Sequence, residues 1–188
     1  MIETAPALSK RKRLVYTERG GGRAHERKEE RVRKRDGKEE GAPEGWYRLR
    51  APSGFIETVG PVYWREAGDL PEMGFRVAPH LVNPVGFCHG GMLATFADLV
   101  LGFGFGHIVG NGAFVPTIGL TCEFLAPAPG ASWVTGKAEV LRRGRRIGFG
   151  RCVLVCDAAG PVLHATGSFK LDRPADPEFS HWDYLTRD

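Results

Sequence analysis

The sequence predicts an α+β fold, with one long helix packed on a face of an antiparallel sheet. Three observations lead there. Apolar residues at Met92, Leu93, Phe96, Leu99, Val100 and Phe103 recur at helical spacing. Four strand-like runs follow that helix. Short turns rich in Gly, Pro and Ala separate them.

The elements follow in chain order. Residues 1–45 mix both charge signs, with few large apolar residues and scattered Gly and Pro. Such a segment buries too little surface to offset its ordering entropy, so it reads as a disordered charged arm. It holds thirteen Lys and Arg against nine Asp and Glu, which accounts for the whole net charge of +4. The rest of the chain is neutral, so nucleic acid is not expected as a partner of the folded part. The arm itself reads as a partner-binding extension or as a dispensable tail.

From Trp46 the composition becomes that of a folded domain, expected over 46–188. GFIETVGPVYW and GFRVAPHLV read as short strands flanking a loop. NPVGFCHGG then leads into the helix. TIGLTCEFLAP alternates, with Ile118, Leu120, Cys122 and Phe124 on one face and Thr117, Gly119, Thr121 and Glu123 on the other. ASWVTGKAEVLR, RIGFGRCVLVCD and PVLHATGSFKL complete the set. Breaks at 126–130, 143–145 and 158–161 are short enough to imply antiparallel neighbours. The closing DPEFSHWDYL is expected to pack its aromatics on the domain or on a neighbouring chain.

Composition excludes several classes. The run after Met92 is interrupted by Asp98 and glycines, so no membrane helix is expected. The N-terminus lacks the apolar stretch of a secretory signal. Cys88, Cys122, Cys152 and Cys156 form no C-x-x-C pair, which argues against zinc and for buried free thiols in a reducing cytoplasm.

One residue asks for an explanation. Asp98 is the only carboxylate on an otherwise apolar helix, and a buried carboxylate is costly without partners. Its face holds Gly91, Ala94 and Thr95, small residues that suit a lined groove. Gly90 and Gly91 open the helix, where amides lack intrahelical partners and the dipole favours negative charge. Another molecule can approach there, and a carbonyl oxygen that becomes an oxyanion would be stabilised. Gly90 and Asp98 are eight residues apart, about 12 Å along the axis. One carbonyl cannot reach both, so the chemistry would need a second copy of the helix alongside.

Asn83-x-x-Gly86-x-x-His89-Gly90-Gly91, with Asp98 seven residues later, resembles the hotdog-fold acyl-CoA thioesterases of the phenylacetyl-CoA (PaaI-like) group. The likeness covers about residues 55–171, the core it implies for the domain, and includes FLAPAPG, LRRGRR and HATGSFKL. It implies a helix wrapped by a curved antiparallel sheet, and homodimers with shared active sites that often pair into homotetramers. It implies no metal or resident cofactor, since coenzyme A arrives with the acyl-CoA substrate. Asp98 would be general base or nucleophile, with both routes open. Gly90 N–H would polarise the thioester carbonyl, and Gly91 would help bind the substrate. Asn83 would position water or thioester, His89 would support the loop, and Thr117 would sit near the water. Arg145 and Arg146 would meet coenzyme A phosphates, a role arginine suits. Thioester hydrolysis is thus the expected function. The alternative is a non-catalytic acyl-CoA-binding or regulatory module on the same fold, and a hydratase would need a His–acid arrangement absent here.

Other candidates are weaker. Adjacent Cys88 and His89 seldom point at one another, so a thiol nucleophile is not expected. His164 and Glu123 read as strand-surface or interface residues.

Overall fold

The computed structural model describes residues 41–50, 54–110, 114–172 and 185. The expected disordered arm therefore lies outside the described residues up to 40, and most of DPEFSHWDYL does too.

Strands β1 (Tyr47–Arg48), β2 (Val62–Arg65) and β3 (Glu72–Arg76) precede the long helix, and helix α1 (Gly54–Val59) lies between β1 and β2. GFIETV is thus a helix rather than part of a strand. Its six residues bury nothing fully, although Ile56 and Val59 touch the core. After a short 3-10 turn at Pro79–Leu81 comes α2, Gly90–Val109. Strands β4 (Thr117–Phe124), β5 (Trp133–Arg143), β6 (Ile147–Cys156) and β7 (Gly160–Lys170) follow.

All seven strands form one antiparallel sheet in the order β1-β2-β3-β5-β6-β7-β4. The turns at 143–145 and 158–161 are hairpins, as expected. The break at 126–130 is not. β4 sits at the far edge beside β7, and β5 joins β3 in the middle. The connection between them crosses the helix entrance, where Cys88 N–H donates to Ala128 O at 2.8 Å and Gly130 N–H to Gly86 O at 3.0 Å.

The helix packs into the sheet through Met92, Leu93, Phe96, Ala97, Val100, Leu101, Gly104 and Phe105, all buried. Leu99 and Phe103, expected on this stripe, are only half-buried. Close packing needs small residues at the contact. A Cβ on Gly104 would stand 2.3 Å from Ala138 Cβ. By length and composition α2 could cross a membrane, contrary to expectation, but its apolar side is taken up by the sheet. Asp98, Ala94 and Thr95 remain half-buried on the other side.

β6 shows the clean alternation of a sheet with one covered face. β4 does not, and most of it is exposed. Its free edge is long, and the strand carries Ile118 at 57% and Phe124 at 57% exposure.

Candidate active site

The loop before α2 is tied together by its own side chains. Asn83 Oδ1 accepts from the Val85 and Phe87 amides, both at 3.1 Å. Gly86 takes φ +87°, which only glycine adopts cheaply, and closes the turn onto Asn83 O at 3.0 Å. The carbonyl oxygen of the Asn83 side chain is therefore occupied. What it retains for a ligand is its Nδ2 donor.

His89 is the N-cap of α2. Its Nδ1 accepts from Gly91 N–H at 2.9 Å. An accepting Nδ1 puts the proton of a neutral ring on Nε2. His89 thus caps the first turn of α2. Gly91 is different from expectation: its amide is already engaged and leaves no donor for a ligand. Gly90 N–H, by contrast, has no acceptor among the described residues. It is the one amide of the Gly-Gly pair available to a substrate oxygen.

Two turns further along, Thr117 donates its hydroxyl to Asp98 Oδ1 at 2.7 Å. Simple alternation along β4 would turn Thr117 away from the helix. A bulge at Ile118 prevents that. Thr117 pairs with buried Phe169, and Gly119 already pairs with Ser168, so one extra residue flips the parity. Asp98 also makes its charge felt at Cys122, whose thiol is pushed up first by burial and then by the Asp98 carboxylate.

The residues therefore form two groups. Asn83, His89, Gly90 and Gly91 stand at the start of α2, and Asp98 with Thr117 lies further down. Phe124, which the sequence placed on a strand face but not at the site, lies against Gly90. Its only sequence signal is alternation on the β4 run. Arg145 and Arg146 are exposed on the β5–β6 hairpin, and Arg146 Nε lies 3.6 Å from Asp172. His164 Nδ1 meets Glu123 Oε2 at 2.7 Å across the β7–β4 pair, on the outer side of the sheet. Cys88 is buried and its thiol is pushed up to about 12 by burial and then by Cys156, unlike an activated nucleophile. Among the described residues no three His, Cys, Asp or Glu side chains converge as metal ligands.

A single central helix in a curved antiparallel sheet, with a lone carboxylate on the helix and a free amide at its start, defines a hotdog-fold protein with a candidate hydrolytic site. Residues 85–160 match the thioesterase superfamily, so the resemblance drawn from the loop motif holds. A Pseudomonas aeruginosa protein to which esterase activity is ascribed is 28% identical over 130 residues, 69% of this chain and 96% of that one. A Ralstonia eutropha structure described as a phenylacetic acid degradation-related protein is 27% identical, covers 64% of this chain and 92% of its own, and has a TM-score of 0.57. The PaaI protein of the E. coli phenylacetic acid degradation operon shares the fold at 18% identity, 66% and 88% coverage and a TM-score of 0.59. So does a Bacillus halodurans protein solved with CoA, at 22% identity, 65% and 82% coverage and 0.58. The superfamily match and the Pseudomonas relative support thioester hydrolysis as the general class of activity; the E. coli and Bacillus structures show the fold.

Proposed function

We propose that this chain hydrolyses acyl-CoA thioesters at a site assembled from two copies of itself. The observation that carries this is the Thr117–Asp98 hydrogen bond, which fixes a half-buried carboxylate beside the free edge of β4. That edge invites a second β4, which would continue the sheet and bring two helices side by side. Gly90 of one copy would then face Asp98 of the other, as the spacing of about 12 Å within one helix requires.

The chemistry follows from the groups available. Gly90 N–H donates to the thioester oxygen and stabilises it as charge develops. Asp98 takes a proton from water as it attacks, or attacks the carbonyl itself to give a mixed anhydride that water then cleaves. Either way coenzyme A leaves as the thiol and the acyl group as the acid. Thr117 holds the carboxylate in one orientation. Asn83 can only donate, through Nδ2, to the thioester or to a bound water. Arg145 and Arg146 supply positive charge for the phosphates of coenzyme A. A relative of the same fold solved with CoA supports that ligand class.

The test is thiol release from a panel of acyl-CoAs by wild type and Asp98→Asn. Turnover by wild type, lost by a factor of about 10² or more in a folded variant that still binds substrate, supports the proposal. Binding of acyl-CoAs without turnover by either protein contradicts it and leaves a binding module.

A further inference from the structure

Phe124 ends β4 and pairs with Leu163, which is fully buried, so its side chain belongs to the inner side of the sheet. Yet it is 57% exposed. A core ring would be covered. This one projects past the core and lies along the start of α2. Its Cε1, Cζ and Cδ1 stand 3.1, 3.4 and 3.7 Å from where a Cβ on Gly90 would be. The ring is held there by its backbone. Leu125 N–H donates to Val162 O at 3.0 Å, and the following loop is tied to the helix entrance through Cys88 and Ala128.

We infer that Phe124 is a specificity-determining wall of the thioester site, restricting the carbon next to the carbonyl to an unbranched acyl group. The inference rests on the proposed role of Gly90. A carbonyl oxygen about 2.9 Å from the Gly90 nitrogen leaves its flanking groups in contact range of the ring. Carbon atoms pack best at about 3.5–4.0 Å. A methylene beside the carbonyl meets that distance against the ring. A methyl branch beside the carbonyl adds a carbon that must find room in the space the ring bounds. Gly90 itself shows how narrow the space is, since its own Cβ would be crowded by the same ring.

The experiment compares kcat/KM for butyryl-CoA and isobutyryl-CoA, which have the same atoms and differ only in branching beside the carbonyl. Wild type should favour the straight chain by roughly tenfold or more, the usual worth of one misplaced methyl group. Phe124→Ala should shrink that ratio by roughly tenfold, and Phe124→Leu should fall between. A purely structural role would lower both rates together and leave the ratio unchanged, which overturns the inference while leaving the proposed activity standing. A wild type that cleaves neither ester, nor any other in the panel, overturns the reading of the site and this inference with it.

Discussion

Thr117 gives its hydroxyl hydrogen to Asp98 Oδ1 across 2.7 Å, joining the start of the edge strand to the middle of the central helix. The bond exists because one bulged residue, Ile118, turns Thr117 inward. Its expected role is orientation of the carboxylate. Thr117→Val keeps the shape and removes the donor, and should lower kcat by roughly 10- to 100-fold with KM little changed. Thr117→Ser restores the hydroxyl and should recover most of the loss. Steady-state kinetics on one acyl-CoA check this, and equal effects of Val and Ser would contradict it.

Gly104 and Gly102 make opposite predictions for one substitution. Alanine in a helix interior normally stabilises by about 0.5–1 kcal/mol over glycine. At Gly102 the new Cβ would meet only Phe169 Cε1, at 3.9 Å, so Gly102→Ala should show that gain. At Gly104 it would stand 2.3 Å from Ala138 Cβ, and overpacking of about 1–3 kcal/mol outweighs the gain. Urea unfolding of the two variants should move in opposite directions.

The helix and the four later strands were legible in the sequence, because helical period, alternation and turn residues are local signals. The position of β4 was not. A short connection at 126–130 reads as a hairpin, and only long-range pairing sends β4 to the far edge beside β7. The bulge at Ile118 was equally hidden, since Thr117 lies on the outer parity by simple alternation. At the candidate site, residue types and spacing pointed to Asp98 and Gly90 as candidates, and the family resemblance to His89 as a support for the loop, without showing that it caps α2. They did not reveal that Asn83 Oδ1 and the Gly91 amide are engaged within the loop, because those bonds depend on backbone geometry. Phe124 escaped notice because a strand aromatic is ordinarily read as core.

Cys88 and Cys152 tie stability to alkaline pH. Burial, helped by the neighbouring Cys156 and Cys122 thiols respectively, pushes each from 9.0 to about 12. Below pH 9 both are protonated whether folded or not, and their contribution is fully present. As pH rises from 9 toward 12, the unfolded chain sheds protons that the folded chain keeps, so stability falls. The urea midpoint should drop between about pH 8 and about pH 10, and the drop should be smaller in Cys88→Ala/Cys152→Ala. An identical pH slope in both proteins would contradict this.

Arg145 and Arg146 are exposed, so their predicted contribution is to substrate capture. The double change Arg145→Ala/Arg146→Ala should raise KM for an acyl-CoA by roughly three- to tenfold with kcat nearly unchanged. At about 1 M salt the difference should largely disappear, because screening removes it from wild type as well. An unchanged KM at low salt would take the coenzyme A phosphates away from this hairpin.

The sharing of one site by two chains is tested most directly by complementation. Asp98→Asn removes the carboxylate. Gly90→Pro removes the amide hydrogen at a first helical position, after a residue with the extended backbone that proline requires; its ring displaces Phe124 of the same chain, which stands 3.1 Å from the Cβ position, so the disturbance falls on the site that this variant already loses. Each variant alone should be nearly inactive toward acyl-CoAs. Co-expressed with different tags and purified as mixed dimers, they should hold one doubly damaged site and one intact site, with about half the wild-type rate per dimer. Mixed dimers no more active than either variant would contradict a site built from Gly90 of one copy and Asp98 of the other.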